Sequence, residues 1–197
     1  MSALPEMSSL SNVDYGYAEK LYFSLKSYWL SLYSEGDCIP LRKQFSPAKV
    51  RSLIPNLYML EWIDGGQIKV RHRGTGIEQA TGSRFLAGAH LKNNSAAEWA
   101  QMERYFDTIF SVPCSAEGDW RYYTKEGEVY DAVTYSMPLY GRDDSQRIAL
   151  GIMVLRRNFD QDLVDKCDGV DRADILHAVY KDMGFGVPEG VPVIVGR

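Results

Sequence analysis

The sequence of 197 residues predicts an α+β protein with an antiparallel sheet. Its strand patterns fall into two groups, residues 57–73 and 114–157, with helical patterns before and between them. Connections within each group are short, and short connections join antiparallel neighbours. Strands and helices do not alternate along the chain, which disfavours a parallel doubly wound sheet.

The first strand pair, residues 57–63 and 67–73, is the predicted centre of the fold. An apolar run is followed by Asp64-Gly65-Gly66, which has the residue types of a tight hairpin. The second strand alternates strictly, and alternation places successive side chains on opposite faces. One face should carry Ile68, Val70 and His72, and the other Lys69, Arg71 and Arg73. Three later strands are predicted near residues 114–123, 129–139 and 148–157.

Helices are predicted from apolar spacing of three and four residues and from capping residues. The predicted helices cover 14–34, a short turn from 46 to about 53, a capped helix from Ser95 to about Ser111, and C-terminal helices at 159–166 and 171–183. Residues 185–197 resemble an extended arm. The chain therefore divides into an N-terminal tail and helix (1–35), a sheet domain (36–157), and C-terminal helices with an arm (158–197).

The amino-acid composition limits the classes of partner that the protein can have. The chain is 45% hydrophobic and 24% charged, with a net charge of −4 and a pI near 5.4. An acidic pI argues against a nucleic-acid partner, whereas a small anionic ligand needs only a local positive patch. Three widely spaced cysteines predict free thiols in a reducing cytoplasm. We expect no signal peptide, because residues 1–12 have no basic n-region and no long apolar run. We also expect no membrane span, because no apolar stretch approaches about 18 residues.

The sequence resembles the PAS domain family, most closely a short bacterial variant with an N-terminal helix that ends in Tyr-Trp. The matching residues are Tyr28-Trp29, Pro40-x-Arg42, Phe45-x-Pro47, 54–57, 70–75, Thr81-Gly82, Leu91 and 130–139, within residues 17–157. The resemblance implies a five-stranded antiparallel sheet in the order 2-1-5-4-3, with short helices on one face. It also implies a ligand between those helices and the sheet, and dimerisation through flanking helices.

Catalytic motifs are absent from the sequence, and the three histidines are not paired at metal-ligand spacing. The resemblance identifies no cofactor, because neither the reactive cysteine of flavin-binding members nor a haem-ligand pattern is present. We therefore expect a non-catalytic sensory module that binds a small molecule and signals through a protein partner. The alternatives are a dimerisation protein with a filled core and an enzyme that uses an α+β cavity.

Candidate ligand-binding residues come from two sources. Large amphipathic side chains in and near residues 76–111 would line a pocket under the small helices; with Arg71 and His72, the candidates are Phe85, His90, Trp99, Tyr105, Trp120 and Tyr122. The aromatic residues are equally compatible with an ordinary core. The strand cations are either a solvated face paired with acids such as Glu61 or Asp131, or a phosphate or carboxylate site.

A homodimer is predicted from the wide aromatic stripe of the N-terminal helix. The candidate interface residues are Tyr22, Leu25, Tyr28, Trp29, Leu32 and Tyr33. The competing interpretation is that the whole stripe packs on its own domain and the protein is a monomer.

Overall fold

A computed structural model gives the fold of most of the chain. It describes residues 13–33, 39–63, 67–81, 87–88, 90–91, 96–124, 129–142, 145–155, 170–189 and 194–195. Within these residues the strands form one antiparallel sheet in the order β3-β2-β1-β6-β5-β4-β7-β8. The strands are β1 Leu57–Ile63, β2 Gln67–Arg73, β3 His90–Leu91, β4 Cys114–Thr124, β5 Val129–Tyr140, β6 Arg147–Leu155, β7 Val170–Asp182 and β8 Ile194–Val195.

The predicted five-stranded order is present within this sheet. The five predicted strands correspond to β1, β2, β4, β5 and β6, and their spatial order β2-β1-β6-β5-β4 is the expected 2-1-5-4-3. The first strand lies between the second and the fifth, as predicted. The described sheet is larger than predicted, since β7 extends it beyond β4, and the two-residue strands β3 and β8 lie at its edges.

The C-terminal helix predicted for 171–183 is wrong, because these residues form β7. This strand pairs with β4 from Cys114↔Asp182 to Thr124↔Val170. Ile175 lies opposite Trp120 and His177 opposite Asp119, so Leu176 is an extra residue in the ladder. A bulge of this kind shifts the alternation of side chains, and apolar residues then recur at spacings that resemble a helix. The helix predicted for 159–166 lies outside the described residues.

Helices cover both faces of the sheet. They are α1 Tyr15–Ser31, α2 Thr75–Thr81 and α3 Ala96–Ser111, with 3₁₀ helices at Arg42–Gln44 and Pro47–Asn56. Asp14 caps α1, and its carboxylate accepts a hydrogen bond from the backbone N–H of Tyr17 at 2.9 Å. The stretch from Leu41 to Asn56, which joins α1 to β1, is called the linker below.

Each face of the sheet has its own apolar core. On the α1 face, Leu25 and Trp29 pack with sheet residues such as Met137 and Leu150. On the α3 face, Tyr105 and Ile109 belong to the second core. The ends of the described chain are integral to this unit, because α1 covers one face and β7 continues the sheet.

Hydrogen bonds attach α1 to three strands. The indole N–H of Trp29 donates to the backbone oxygen of Pro138 in β5 at 2.7 Å. The hydroxyls of Tyr22 and Ser115 in β4 are 2.6 Å apart, and Lys26 donates to the backbone oxygen of Asp182 at 2.9 Å. The bonds of Trp29 and Tyr22 are buried and satisfy polar atoms that would otherwise be unpaired. They fix the position of α1 on the sheet.

Candidate functional site

A cleft of about 440 Å³ lies on the α1 face, between the linker and the strands β1, β2 and β6. Its apolar lining comes from both sides. The apolar residues are Phe45, Pro47, Ile54, Leu57, Met59 and Ile148. The cleft falls in the size range of small-molecule sites, which combine an apolar lining with a few polar groups.

The polar lining is mostly cationic. It consists of Arg42, Arg71, His72, Arg142 and Gln146. Three arginines in one cleft contrast with the net charge of −4 on the whole chain. Guanidinium groups bind carboxylates and phosphates through paired N–H donors, so this lining is suited to an anion.

A β-bulge in β2 explains why neighbouring residues Arg71 and His72 both face the cleft. His72 lies opposite Met59, but Val70 lies opposite Leu60, so Arg71 is an extra residue in the ladder. The prediction that His72 shares a face with Ile68 and Val70 is therefore wrong. Strict alternation ends at the bulge, and Arg73 is on the face opposite to the one predicted.

Arg71 is held by an acid on the adjacent strand. Its Nε lies 2.5 Å from a carboxylate oxygen of Glu61, and the side-chain amide of Gln146 donates to the other oxygen. Burial alone would raise the pKa of Glu61, but the hydrogen bonds from Arg71 and Gln146 and the charges of Arg71 and Lys69 outweigh it. The pKa of Glu61 is consequently below its ordinary value, and Glu61 is ionised at neutral pH.

Two of the three strand cations pair with acids in the structure, and Arg71 does so with Glu61, one of the acids expected. Arg73 pairs instead with Glu78 of α2, at 3.3 Å. Asp131 forms a two-point ion pair with Arg121, with distances of 2.8 and 3.1 Å. The strand cations thus do not form one solvated row.

Arg42 and Arg142 differ from Arg71, since neither has a carboxylate in ion-pair range within the part of the chain that the structure describes. The guanidinium of Arg42 lies 5.3 Å from the ring centroid of Phe45 and donates to the backbone oxygen of Phe45 at 3.4 Å. Gln146 accepts a hydrogen bond from the backbone N–H of Arg142 at 3.1 Å, which anchors the loop before β6. The two guanidiniums keep N–H donors for a bound anion.

His72 adds an unsatisfied nitrogen to the lining. Its Nε2 is buried and has no hydrogen-bond partner among the described residues. Burial, and to a lesser degree the nearby charge of Arg42, lower the pKa of His72. The imidazole is therefore neutral at pH 7, and its buried nitrogen needs a partner that the described protein atoms do not supply.

The wall of the cleft is attached to the C-terminal end of α1. The backbone N–H of Ser46 donates to the hydroxyl of Tyr28 at 2.7 Å, and the side chain of Gln44 donates to the backbone oxygen of Leu32 at 3.1 Å. The rings of Tyr28 and Phe45 meet edge to face, with centroids 5.6 Å apart. Two hydrogen bonds and a ring contact therefore join the cleft wall to α1.

A family model described as PAS domain matches residues 20–154, about two thirds of the chain. The chain belongs to the PAS domain family. No curated protein and no solved structure gives a significant match. The family as a whole consists mainly of sensory and regulatory modules that are not enzymes. In this PAS domain, α2 and α3 cover one face of the sheet, and the cleft lies on the other.

The other candidate ligand residues of the PAS domain lie on the α3 face. Tyr105, Trp120 and Tyr122 are buried there, and Trp99 is half-buried and stacks on Trp62 with centroids 4.9 Å apart. His90 pairs with Lys69 through the backbone in β3. The side chain of His90 and the whole of Phe85 lie outside the described residues. The structure thus separates the candidates into two groups on opposite faces of the sheet.

The aromatic group on the α3 face is joined by buried hydroxyls. The hydroxyl of Ser136 is 2.8 Å from the hydroxyl of Tyr105 and also bonds the hydroxyl of Tyr58. Trp120 packs edge to face on Tyr105, with centroids 5.6 Å apart, and donates to Thr134 at 2.8 Å. These contacts are those of a hydrogen-bonded core.

The candidate dimer residues of α1 also divide into two groups. Tyr22, Leu25 and Trp29 are at most 1% exposed and face their own sheet. Tyr28 and Leu32 are half-buried, and Tyr33 is 41% exposed. Side chains buried within one protomer are not available to a partner. Tyr22, Leu25 and Trp29 therefore pack on their own domain, as the competing interpretation expects.

Sequence reasoning missed the linker side of the cleft. Arg42 and Phe45 were recognised only as residues of a family motif, and Arg142 and Gln146 only as part of a polar loop. No local pattern marks them, because tertiary contacts such as the isolated bridge Leu41↔Tyr140 bring the linker beside the end of β5 and the loop that follows it.

The described residues contain no group of three or more His, Cys, Asp or Glu side chains placed to hold a metal ion. Among their helices, none combines the length and apolar character that crossing a membrane requires.

Proposed function

We propose that this PAS domain is a non-catalytic sensory or regulatory module that binds a small molecule and signals through protein–protein contacts. The observation that carries the proposal is the attachment of the cleft wall to α1 through Tyr28 and Ser46. A ligand that contacts Arg42 or Phe45 also contacts the segment that positions the end of α1. A ligand that binds more tightly when α1 is in one of two positions shifts the population toward that position.

The exposed side of α1 is a suitable output surface. Phe23 and Leu30 are seven residues apart, which places them on the same side of the helix, and they are 59% and 39% exposed. Tyr33 continues this surface beyond the end of the helix. We propose that this side binds a second copy of the chain, so that the predicted homodimer uses Phe23, Leu30 and Tyr33 in place of the buried residues of the stripe.

A second candidate function is a pure interaction protein with a filled core. The hydrogen-bonded aromatic group around Ser136 favours it, because the α3 face then needs no ligand. The two candidates share the dimer and differ in small-molecule binding. A cytoplasmic location is part of both, and the free, buried thiol of Cys114 is consistent with it.

Native mass spectrometry of the full chain beside a denatured sample separates the candidates. The sensory module should show a retained mass that disappears on denaturation, or should gain mass when small-molecule pools are added. A chain that gains no mass from any pool refutes the sensory function and supports the interaction protein.

Light scattering tests the output surface. The double variant Phe23→Asp and Leu30→Asp should convert a dimer into a monomer without unfolding it, since both side chains face solvent within the protomer. Val129→Asp is the matched control, because Val129 is also exposed (47%) but lies at the start of β5. A wild-type monomer at tens of micromolar, or a dimer that survives the double substitution, would refute the proposed surface.

A further inference from the structure

We propose that the cleft on the α1 face binds an anionic amphiphile, with a carboxylate or phosphate head held by Arg42 and Arg142 and an apolar body lying on Leu57, Met59 and Ile148. This inference rests on the proposed sensory function and specifies its ligand class. It also places the ligand on the side of the sheet opposite to α2 and α3, where the family resemblance alone would not place it.

Charge is the first argument. Of the three arginines that line the cleft, Arg71 is neutralised by Glu61, with 2.5 Å between Nε and the carboxylate. Arg42 and Arg142 have no acidic partner within the described ranges. The arginines and Glu61 together therefore leave two positive charges beside an apolar lining. Both charges would attract an anion that enters the cleft, and each guanidinium can offer it N–H donors.

The apolar lining is the second argument. Leu57, Met59 and Ile148 belong to the core of the α1 face, so the floor of the cleft continues that core. These three side chains are 1%, 3% and 4% exposed, so the floor is closely packed and presents an apolar surface to the cleft. An apolar ligand body lying on this floor would leave water, and burial of the ligand's own surface contributes to affinity in proportion to area, whereas an inorganic anion has no such surface.

His72 is the third argument. Its Nε2 is buried beside Arg42 and has no hydrogen-bond partner in the described part of the chain. A neutral imidazole nitrogen can donate to an oxyanion when it carries the proton. Because Nε2 has almost no accessible surface, a head group bound by Arg42 would reach it only after a small shift of the cleft wall. A head group placed in this way would contact both the guanidinium of Arg42 and the unsatisfied nitrogen of His72.

Isothermal titration calorimetry of the full chain tests the ligand class with defined probes. Octanoate and octyl phosphate have the head and the apolar body; acetate and inorganic phosphate lack the body, and octanol lacks the charge. Each buried methylene should tighten binding by up to about fourfold, so octanoate should bind at least tenfold more tightly than acetate. The affinity for octanoate should exceed the affinity for octanol by a similar factor. Comparing the affinities for octanoate and octyl phosphate identifies the preferred head group. Binding of neither amphiphile, or equal binding of octanol, would overturn the proposal.

Substitutions in the cleft test its location. Arg42→Gln and Arg142→Gln should each weaken the binding of the better amphiphile by about tenfold, because each removes a charge-assisted hydrogen bond. Arg104→Gln, on the exposed side of α3, is the matched control and should leave binding unchanged. Unchanged unfolding temperatures without ligand would show that all three variants are folded.

The failure of this inference is distinguishable from the failure of the sensory function. If native mass spectra show a retained molecule whose occupancy is the same in Arg42→Gln and Arg142→Gln, the chain binds a ligand elsewhere, and only the inference is wrong. If neither amphiphile nor any pool adds mass, both are wrong.

Discussion

The hydroxyl of Tyr28 accepts a hydrogen bond from the backbone N–H of Ser46, with 2.7 Å between the two atoms. Tyr28 lies in the last turns of α1, and Ser46 lies in the linker between two residues that line the cleft, Phe45 and Pro47. This one bond joins the proposed binding site to the proposed output helix. Its removal should therefore affect both stability and signalling.

The first prediction concerns this bond. Tyr28→Phe keeps the ring contact with Phe45 and leaves the N–H of Ser46 without its acceptor. The free energy of unfolding should fall by about 0.5–1.5 kcal/mol, as measured by urea denaturation. Tyr33→Phe is the control, because Tyr33 is 41% exposed, and it should change the value by less than about 0.5 kcal/mol. Equal effects of the two substitutions would contradict a role for the bond.

The second prediction is a pH dependence at Glu61. Because the pKa of Glu61 is lowered in the folded state, its ion pair with Arg71 stabilises the protein above the ordinary pKa of about 4.5. This stabilisation is lost as the pH falls below 4.5 and through the lower folded-state pKa. At pH 7 the free energy of unfolding of the wild type should be about 1–2 kcal/mol larger than that of Glu61→Gln. This difference should shrink as the pH falls.

Urea unfolding of both proteins between pH 3 and pH 7 measures this difference directly. Glu103→Gln on the exposed side of α3 is the control and should track wild type throughout. A difference between wild type and Glu61→Gln that stays constant with pH would show that the carboxylate charge is not the stabilising feature.

The third prediction contrasts two glycines. A Cβ at Gly151 in β6 would overlap the backbone oxygen of Tyr135 and the hydroxyl of Tyr58, so Gly151→Ala should destabilise the protein by about 1–3 kcal/mol or more. A Cβ at Gly16 in α1 would meet its nearest neighbour, an oxygen of Asp14, only at 3.7 Å. Gly16→Ala should therefore stabilise by up to about 1 kcal/mol, since alanine favours the helix. Thermal unfolding measures the stability of both variants. If the unfolding temperature rises in both or falls in both, the predicted difference between the two glycines is wrong.

The fourth prediction concerns Cys114. Burial, and then the nearby charge of Asp182, raise the pKa of this thiol to about 12. Because the thiolate is the reactive form, the thiol should be inert in the folded protein at pH 8. A variant with Cys38→Ser and Cys167→Ser should show no reaction with a thiol reagent until urea unfolds it, and then one equivalent. Rapid reaction of the folded variant would show that Cys114 is accessible.

Sequence patterns identified the elements whose signals are local. The alternation of β2 before the bulge, the apolar run of β1 and the helical spacing of α3 all depend on residues close together in the chain, and these three elements are present. The apolar stripe of α1 identifies the helix. It does not show whether the helix packs on the sheet of its own chain or on a second copy of the chain. That choice depends on contacts such as the one between Trp29 and Pro138.

The elements that sequence patterns missed depend on residues distant in the chain. The bulges at Arg71 and Leu176 shift the side-chain alternation, and neither has a glycine or proline to mark it. The cleft combines the linker, β2 and the loop before β6, so no single stretch of sequence contains its pattern. Two of its residues, Arg71 and His72, stand out by their chemistry, but strict alternation places them on opposite faces, whereas the bulge brings His72 to the same side as Arg71.

The last prediction tests whether β7 is integral to the sheet. A chain that ends at residue 169 lacks β7, which leaves the backbone groups along one edge of β4 unpaired. It also removes Ile175 and Ala178 from the core of the α3 face. Lost apolar packing destabilises a fold by several kcal/mol, which is comparable to the total stability of a domain, and an exposed strand edge can pair with another chain. The shortened chain should therefore aggregate or lose its cooperative unfolding transition.

Two comparisons make this test specific to β7. A chain that ends at residue 189 keeps all of β7 and should retain a cooperative transition, whereas the chain that ends at 169 should not. In the full-length protein, Ile175→Ala should lower the free energy of unfolding by about 2–4 kcal/mol, because Ile175 is 3% exposed and packs in the sheet core. A stable, monomeric chain of residues 1–169, or an Ile175→Ala variant as stable as wild type, would mean that the C-terminal segment is an appendage. The described sheet would then end at β4, as the sequence pattern predicted.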